Sequence, residues 1–245
     1  MKHYALITAK GSNSTLKNKN LIHICGKPSV AWSIEAASKS DLISKVFLST
    51  DCIEIANVGK SLGCKIIWRG PELCQPDTNH GDVILHAIKE IESLEDCSKD
   101  ASLTTLLGNT VMTTSQDIDN AIKLLIDNKY CSGVLSYWVA QDDHPLRALK
   151  IDEDGYLKSY LDVSTPDTNR QSYPPAYFYD QGPWTSTFTK IKQTSIERQG
   201  CGPWWWLGDK CIGFERQWVT GRDTHTMLDV KISEWWIENF LQKLN

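Results

Sequence analysis

Five apolar runs of strand length, at residues 4–8, 46–50, 64–68, 103–107 and 133–139, alternate with segments of helical character. No other feature of the chain restricts its fold as much. Pro28 suits the first turn of a helix over 29–37. Asp51 stands three residues before Glu54, the spacing of a capping box opening a helix that ends at Ser61. Over 82–94, Val83, Ile84, Ala87, Ile88, Ile91 and Leu94 share one helical face. Thr114 caps a further helix bearing Ile118, Ala121, Ile122 and Leu125. Strand and helix alternating through short connections predict a mostly parallel sheet with helices on both faces.

The alternation breaks after residue 140. Residues 147–151, a D-E-D-G turn and residues 156–161 read as a hairpin. Residues 162–183, rich in Pro, Ser, Asp and Tyr, read as irregular, and two or three strands are expected after them. A last helix starts near Met227 and carries Leu228, Ile232, Trp235, Trp236, Phe240 and Leu241. There is no internal repeat, and 245 residues suit one domain, 1–245, around one core.

Composition removes several classes of function. A formal net charge of -4, with no lysine- or arginine-rich tract, gives nucleic acid no electrostatic footing. The apolar runs fall far short of the ~20 residues that span a bilayer. The apolar part of MKHYALITAK is too short for a secretory signal, so the expected location is the cytoplasm. None of the eight cysteines has C-x-x-C spacing, which leaves reduced, partly buried thiols. Six of the ten tryptophans fall between Trp204 and Trp236 and are expected in core and interface packing. Trp204–Trp206, after Gly202-Pro203, have a second reading as a sticky loop at a subunit interface.

The stretch A-K-G-S-N-S-T-L-K-N-K-N, residues 9–20, leaves the carboxyl end of the first strand. In an open α/β sheet ligands bind at that end. Small residues let backbone N–H groups approach an anion, and lysines add charge. A solvated surface loop has the same composition, so both readings stand on these residues alone. The loop is neither G-x-x-x-x-G-K-[ST] nor G-x-G-x-x-G, against a P-loop or a dinucleotide fold.

The order of several segments decides between them. After that loop come C-G-K-P-S-V-A-W-S-I-E-A-A, V-F-L-S-T-D-C-I-E-I-A and R-G-P-E-L-C-Q-P-D-T-N-H-G-D-V-I-L-H-A-I. Then follow L-L-G-N-T-V-M-T-T-S-Q-D-I-D, H-P-L-R-A-L-K-I-D-E-D-G and R-Q-S-Y-P-P-A-Y. In this order and spacing they resemble the acylneuraminate cytidylyltransferases, the CMP-sialic acid synthetase-like family, over about residues 4–182. The resemblance implies an α/β fold: a three-layer α/β/α sandwich of the nucleotide-diphospho-sugar transferase type, with a dimerisation extension at about 140–185 and hence a homodimer. It implies CMP transfer from CTP to an acidic sugar with release of pyrophosphate, for surface glycan synthesis. Such chemistry needs alignment and charge neutralisation by Mg²⁺ and cationic side chains, and no enzyme nucleophile.

Carried over position by position, Ala9, Lys10, Gly11 and Ser12 begin the nucleotide loop. Lys19 and Asn20 match its closing K-N pair, and Arg69 and His80 match nucleotide positions. Lys10 replaces an arginine and loses its bidentate fork. Arg147 and Arg170 match basic positions on the acceptor side; Asn109, at a strand's carboxyl end, offers hydrogen bonds to the acceptor or else forms a turn before a helix; Lys19 and Asp223 are the expected catalytic pair, and Asp223 the metal ligand. Bland alternatives remain: Arg69 as a surface charge, Arg170 paired to a carboxylate of the extension, His80 as a helix cap.

The chain departs from the family pattern in four places. Gly11-Ser12-Asn13-Ser14-Thr15 replaces G-G-S-K-G. Gly108 stands where a sugar-contacting glutamine is usual. The D-x-D-T-x-x-D metal motif has become Asp223-Thr224-His225-Thr226-Met227-Leu228-Asp229; a histidine suits Mg²⁺ poorly and leaves room for Mn²⁺. Asp229 reads more simply as the capping-box partner of Thr226. Phe178-Tyr179-Asp180-Gln181-Gly182 replaces R-P-N-G. Two other readings therefore stand beside the first: the same fold acting on another nucleotide or a phosphorylated acceptor, and a nucleotide-binding homologue without turnover.

Overall fold

The computed structural model describes residues 1–11, 16–95, 97, 100–161, 168–198, 200 and 202–241. The strands are β1 (Lys2–Thr8), β2 (His23–Ile24), β3 (Lys27–Pro28), β4 (Lys45–Thr50), β5 (Lys65–Trp68), β6 (Ala101–Leu107) and β7 (Gly133–Val139). They continue with β8 (Leu149–Ile151), β9 (Leu157–Ser159), β10 (Tyr177–Tyr179), β11 (Trp184–Thr187) and β12 (Cys211–Glu215). The helices are α1 (Ser29–Ser38), α2 (Ile53–Ser61), α3 (His80–Leu94), α4 (Ser115–Asp127), α5 (Phe188–Glu197) and α6 (Met227–Asn239).

Eight strands form the central sheet. β5, β4, β1 and β6 lie side by side and parallel, as do β7 and β12. β11 runs antiparallel between β6 and β7, and β10 continues along the same edge of β7. The sheet is thus mostly parallel, as the alternation predicts. Side chains alternate across it with a period of two. Tyr4 and Leu6 of β1 pack with Ile84, Ile88 and Ile91 of α3, Ile191 of α5 and Trp204–Trp206. Ala5 and Ile7 pack on the other face with Ile34 of α1, Ile55 of α2 and Ile118 of α4. These are the three layers.

The fold corrects several local expectations. Cys52, not Asp51, is the N-cap of α2 and makes no side-chain cap bond. Asp51 is drawn away because its Oδ1 accepts the Gly11 N–H at 2.7 Å. The boxes at Thr114–Asp117 and Thr226–Asp229 form as read. The hairpin of β8 and β9 also forms, with Arg147 in a short 3-10 turn before it. Tyr177–Tyr179, read as irregular, pairs with β7 instead. Trp204, Trp205 and Trp206 are buried core residues, so the sticky-loop reading fails. Among the described residues no helix is long and apolar enough to cross a membrane.

One buried cation ties the strand ends together. The Arg216 side chain is 4% exposed. It donates to Asp180 Oδ2 (3.2 Å), to the Gly182 carbonyl (2.6 Å) and to the Met112 carbonyl (3.1 Å), and pairs with Asp117 (3.3 Å). Burial pushes the Asp180 carboxyl up, while Arg216 and the Ser136 hydroxyl pull it back. Removing one partner of such a pair strands the other in a medium that cannot solvate it. Arg216→Met is therefore expected to cost about 3–5 kcal/mol, read as a lowered urea midpoint at neutral pH. An unchanged midpoint refutes the ion pair's role.

Candidate active site

The cleft lies at the carboxyl ends of β1 and β6, where strand order reverses and an open α/β sheet parts to admit a ligand. It encloses about 200 Å³. Thr8 and Leu107 line it from the sheet, Asn109 from the turn after β6, and Lys10, Lys19 and Asn20 from the first loop. Arg69 and His80 are also part of the lining.

Hydrogen bonds at both ends pin the first loop. Ala9 N donates to the Ser49 carbonyl at 3.0 Å. Gly11 sits where a Cβ would come within 2.8 Å of the Cys52 Cβ. Ser12 lies outside the described residues. The buried Asn20 donates its Nδ2 to the Lys10 carbonyl at 2.9 Å and so closes the loop. Ser29 at the start of α1 donates to the Lys19 carbonyl at 2.6 Å. Gly108 has a steric cause: a Cβ there would approach the Ala9 Cβ and Asn20 Oδ1 at 2.8 Å each. The Gly108 departure, read above as a lost glutamine, lets β1 and the loop close against β6.

Asn109 joins the two halves of the site. Its Nδ2 donates to Asp223 Oδ2 (3.0 Å) and to the Thr224 carbonyl (3.1 Å). Thr224 returns both its N–H (3.1 Å) and its hydroxyl (3.2 Å) to the Asn109 carbonyl. His225 Nε2 lies 2.8 Å from Asp223 Oδ2 and Lys19 Nζ 3.9 Å from it. Lys19, Asn109, Asp223 and His225 thus converge, although 114 residues separate Asn109 from Asp223. Burial, the largest influence, lowers the Lys19 pKa; Asp223 opposes this and the charge of Lys10 adds to it.

Arg69 is an integral part of the wall. Its Nε donates to Ser49 Oγ (2.9 Å) and its guanidinium to the Ser49 carbonyl (3.0 Å). Burial lowers its pKa to about 10, so it stays cationic at neutral pH. His80 shares a hydrogen bond between Nε2 and Thr8 Oγ1 at 2.9 Å, with the rings of Trp184 and Trp206 edge-on beside it. Burial first, and the charge of Arg69 second, push its pKa from 6.5 down to about 3. The helix cap is Asn79, whose Oδ1 accepts the Gly81 N–H.

Arg147 and Arg170 are not brought to the cleft lining. Both guanidiniums reach Asp142 Oδ1, at 3.1 and 3.3 Å, on the exposed extension. The extension keeps them because this exposed carboxylate lies within reach of both. Sequence reasoning passed over Thr8, Gln75 and Thr78 as cleft residues, although the last two lie in the quoted R-G-P-E-L-C-Q-P-D-T-N-H segment. Nothing in the sequence signalled Asp51 as the anchor of Gly11.

Fold and cleft define a class: three-layer α/β/α proteins with a cationic crevice at the carboxyl ends of parallel strands, here Lys10, Lys19 and Arg69 in a chain of net charge -4. Residues 4–144 match the family described as Cytidylyltransferase, and the chain belongs to that family. It is 30% identical over 131 residues to the Helicobacter pylori pseudaminic acid cytidylyltransferase and UDP-2,4-diacetamido-2,4,6-trideoxy-beta-L-altropyranose hydrolase, covering 53% of this chain and 24% of that protein. It is 27% identical over 171 residues to the Escherichia coli N-acylneuraminate cytidylyltransferase, covering 70% of this chain and 39% of that one. The match thus spans well under half the length of these relatives. The fold is similar to a solved CMP:2-keto-3-deoxy-manno-octonic acid synthetase complexed with CTP, at TM-score 0.70 and 14% identity, covering 97% of this chain and 99% of that one.

Two outcomes follow from this geometry. Gly108→Ala is expected to push Ala9 or Asn20 aside and to cost about 1–3 kcal/mol, read as a lowered urea midpoint. An unaltered midpoint refutes the close approach. Below pH 6.5 the unfolded chain protonates His80 while the folded chain keeps it neutral, so stability falls as pH drops from 6.5 toward 3. His80→Gln is expected to flatten that part of the profile of Tm against pH; an equally steep decline in the variant counts against a neutral His80.

Proposed function

We propose that the protein transfers CMP from CTP to an acidic sugar, a sialic acid-like nonulosonate or related acid, releasing pyrophosphate for surface glycan synthesis. The observation that carries this is the convergence of Lys19, Asn109 and Asp223 beside Lys10 and Arg69. Two lysines near each other in a half-buried crevice repel one another in the free protein. A triphosphate relieves that repulsion, and CTP is the ligand the family's chemistry calls for.

In the reaction the anomeric oxygen attacks the α-phosphorus and the bond to the bridging oxygen of pyrophosphate breaks. The hydroxyl proton is lost to solvent or a cleft base. Lys10 and Lys19 neutralise the phosphates as charge shifts to the leaving group. Arg69, fixed on Ser49, and His80, fixed on Thr8, shape the nucleotide end with Ala9, Gly11 and Asn20. Asn109 orients Asp223 and faces the acceptor. Arg147 and Arg170 offer charge to a carboxylate from the extension. A second copy covering that extension, where Leu149, Ile151, Tyr156 and Leu157 are exposed, gives the homodimer.

The donor set fits a metal that arrives with the nucleotide. Among the described residues no three His, Cys, Asp or Glu side chains gather to hold an ion. Mg²⁺ commonly takes one or two carboxylates and completes its shell with phosphate oxygens and water. Asp223 would hold it, His225 alongside widens the choice to Mn²⁺, and the ion would supply charge neutralisation on the phosphates.

A second reading rests on Asp223 itself. His225, Asn109 and Lys19 all converge on Oδ2, which favours a homologue that binds nucleotide without turnover. Pyrophosphate release separates the two. With CTP, Mg²⁺ or Mn²⁺ and a panel of nonulosonic acids, release is expected with CTP and not with UTP, GTP or ATP. Lys19→Ala is expected to lower kcat/KM by about 100-fold. No release with any acid, nucleotide or metal, while CTP still raises Tm, selects the second reading.

A further inference from the structure

We propose that a groove between α1, the start of α4 and α6, separate from the cleft, binds a small organic anion through an oxyanion group such as a phosphate monoester. The groove encloses about 220 Å³ between α1, the N-terminus of α4 and α6, and shares no lining residue with the nucleotide cleft. Its walls are Trp32, Lys39, Thr113, Ser115, Ile237 and Leu241.

Three observations point to an anion. The 13-residue helix α4 opens here, and its capping box engages only Thr114 and Asp117. The backbone N–H groups of Ser115 and Gln116 have no intrahelical partner, and the helix dipole favours negative charge beside them. Thr113 is 4% exposed, yet its hydroxyl has no hydrogen-bond partner among the described residues. A buried hydroxyl left without a partner is costly and uncommon. Lys27, on the face of Trp32 with its Nζ 3.6 Å from the ring centroid, is matched by Glu35, whereas Lys39 has no ion pair among the described residues. The site therefore carries one cation in excess. Its volume exceeds that of a bare phosphate, and Trp32, Ile237 and Leu241 give an organic portion an apolar wall.

The groove also backs onto the cleft. α1 donates Ser29 Oγ to the Lys19 carbonyl, and Ser33 Oγ to the carbonyls of Leu107 and Thr110. α4 follows the loop that carries Asn109, and α6 follows Asp223 and His225. A ligand wedged among these three helices touches the supports of all three cleft loops.

The test is amide NMR of the full chain in phosphate-free buffer, titrated with inorganic phosphate and with phenyl phosphate. The Ser115 and Gln116 resonances are expected to move saturably, with phenyl phosphate the tighter probe. Thr113→Val and Lys39→Gln are each expected to weaken binding at these resonances by about tenfold. Lys19→Gln, which removes charge from the cleft, is expected to leave them unchanged. The proposal is overturned if these amides do not move, if both groove variants respond like the parent, if the two probes bind equally, or if Lys19→Gln alone abolishes the shifts. Lys39 is exposed, so its variant keeps the test decisive if Thr113→Val folds poorly.

Discussion

The reciprocal bonding of Asn109 with Thr224 and Asp223 is the joint on which the cleft depends. β6 ends in a loop that the family pattern leaves to glutamine and proline, and the C-terminal segment arrives from beyond β12. Asn109 spans them: its side-chain amide donates two hydrogen bonds to that segment, and its backbone carbonyl accepts two from Thr224. Each bond is modest in water, but here the groups are buried and every unmade bond would leave a desolvated dipole. Arg216 extends the same logic further from the opening, gathering Met112, Asp117, Asp180 and Gly182 onto one guanidinium. The strand ends are thus held by polar contacts, and the sheet behind them by apolar ones.

The parallel sheet was legible in the sequence because its strands are buried on both faces and read as continuous apolar runs. Residues 46–50, for instance, have no polar alternation to obscure them. Tyr177–Tyr179 escaped notice for the opposite reason: it follows two prolines, its outer tyrosines are exposed, and it becomes a strand only because β7 offers an edge. Asp51 was misplaced because the capping-box spacing is a local signal, whereas its actual partner, Gly11, lies 40 residues away. In the site, Lys19, Asn20, Arg69 and His80 were legible through ordered motifs. Gly108 was read as a chemical loss when its cause is the space claimed by Ala9 and Asn20, which no linear pattern encodes.

The cleft also gathers cations in a chain whose net charge is negative. Lys19 gives up part of its proton affinity to burial and to Lys10, and Asp223 restores some of it. Arg69 is desolvated but fixed by Ser49. Such an arrangement is less stable empty than filled, so the binding of an anion has a driving force built in before any specific contact is counted.

Trp184, Trp204 and Trp206 have ring centroids 5.5 to 6.4 Å apart, and the imidazole of His80 sits at their edge on the cleft wall. At such spacing indoles exchange excitation readily, and a neighbouring imidazole modulates how that energy is emitted or lost. The emission of these indoles is therefore tied to a side chain of the cleft wall, so a change in the crevice has a route to the aromatic core.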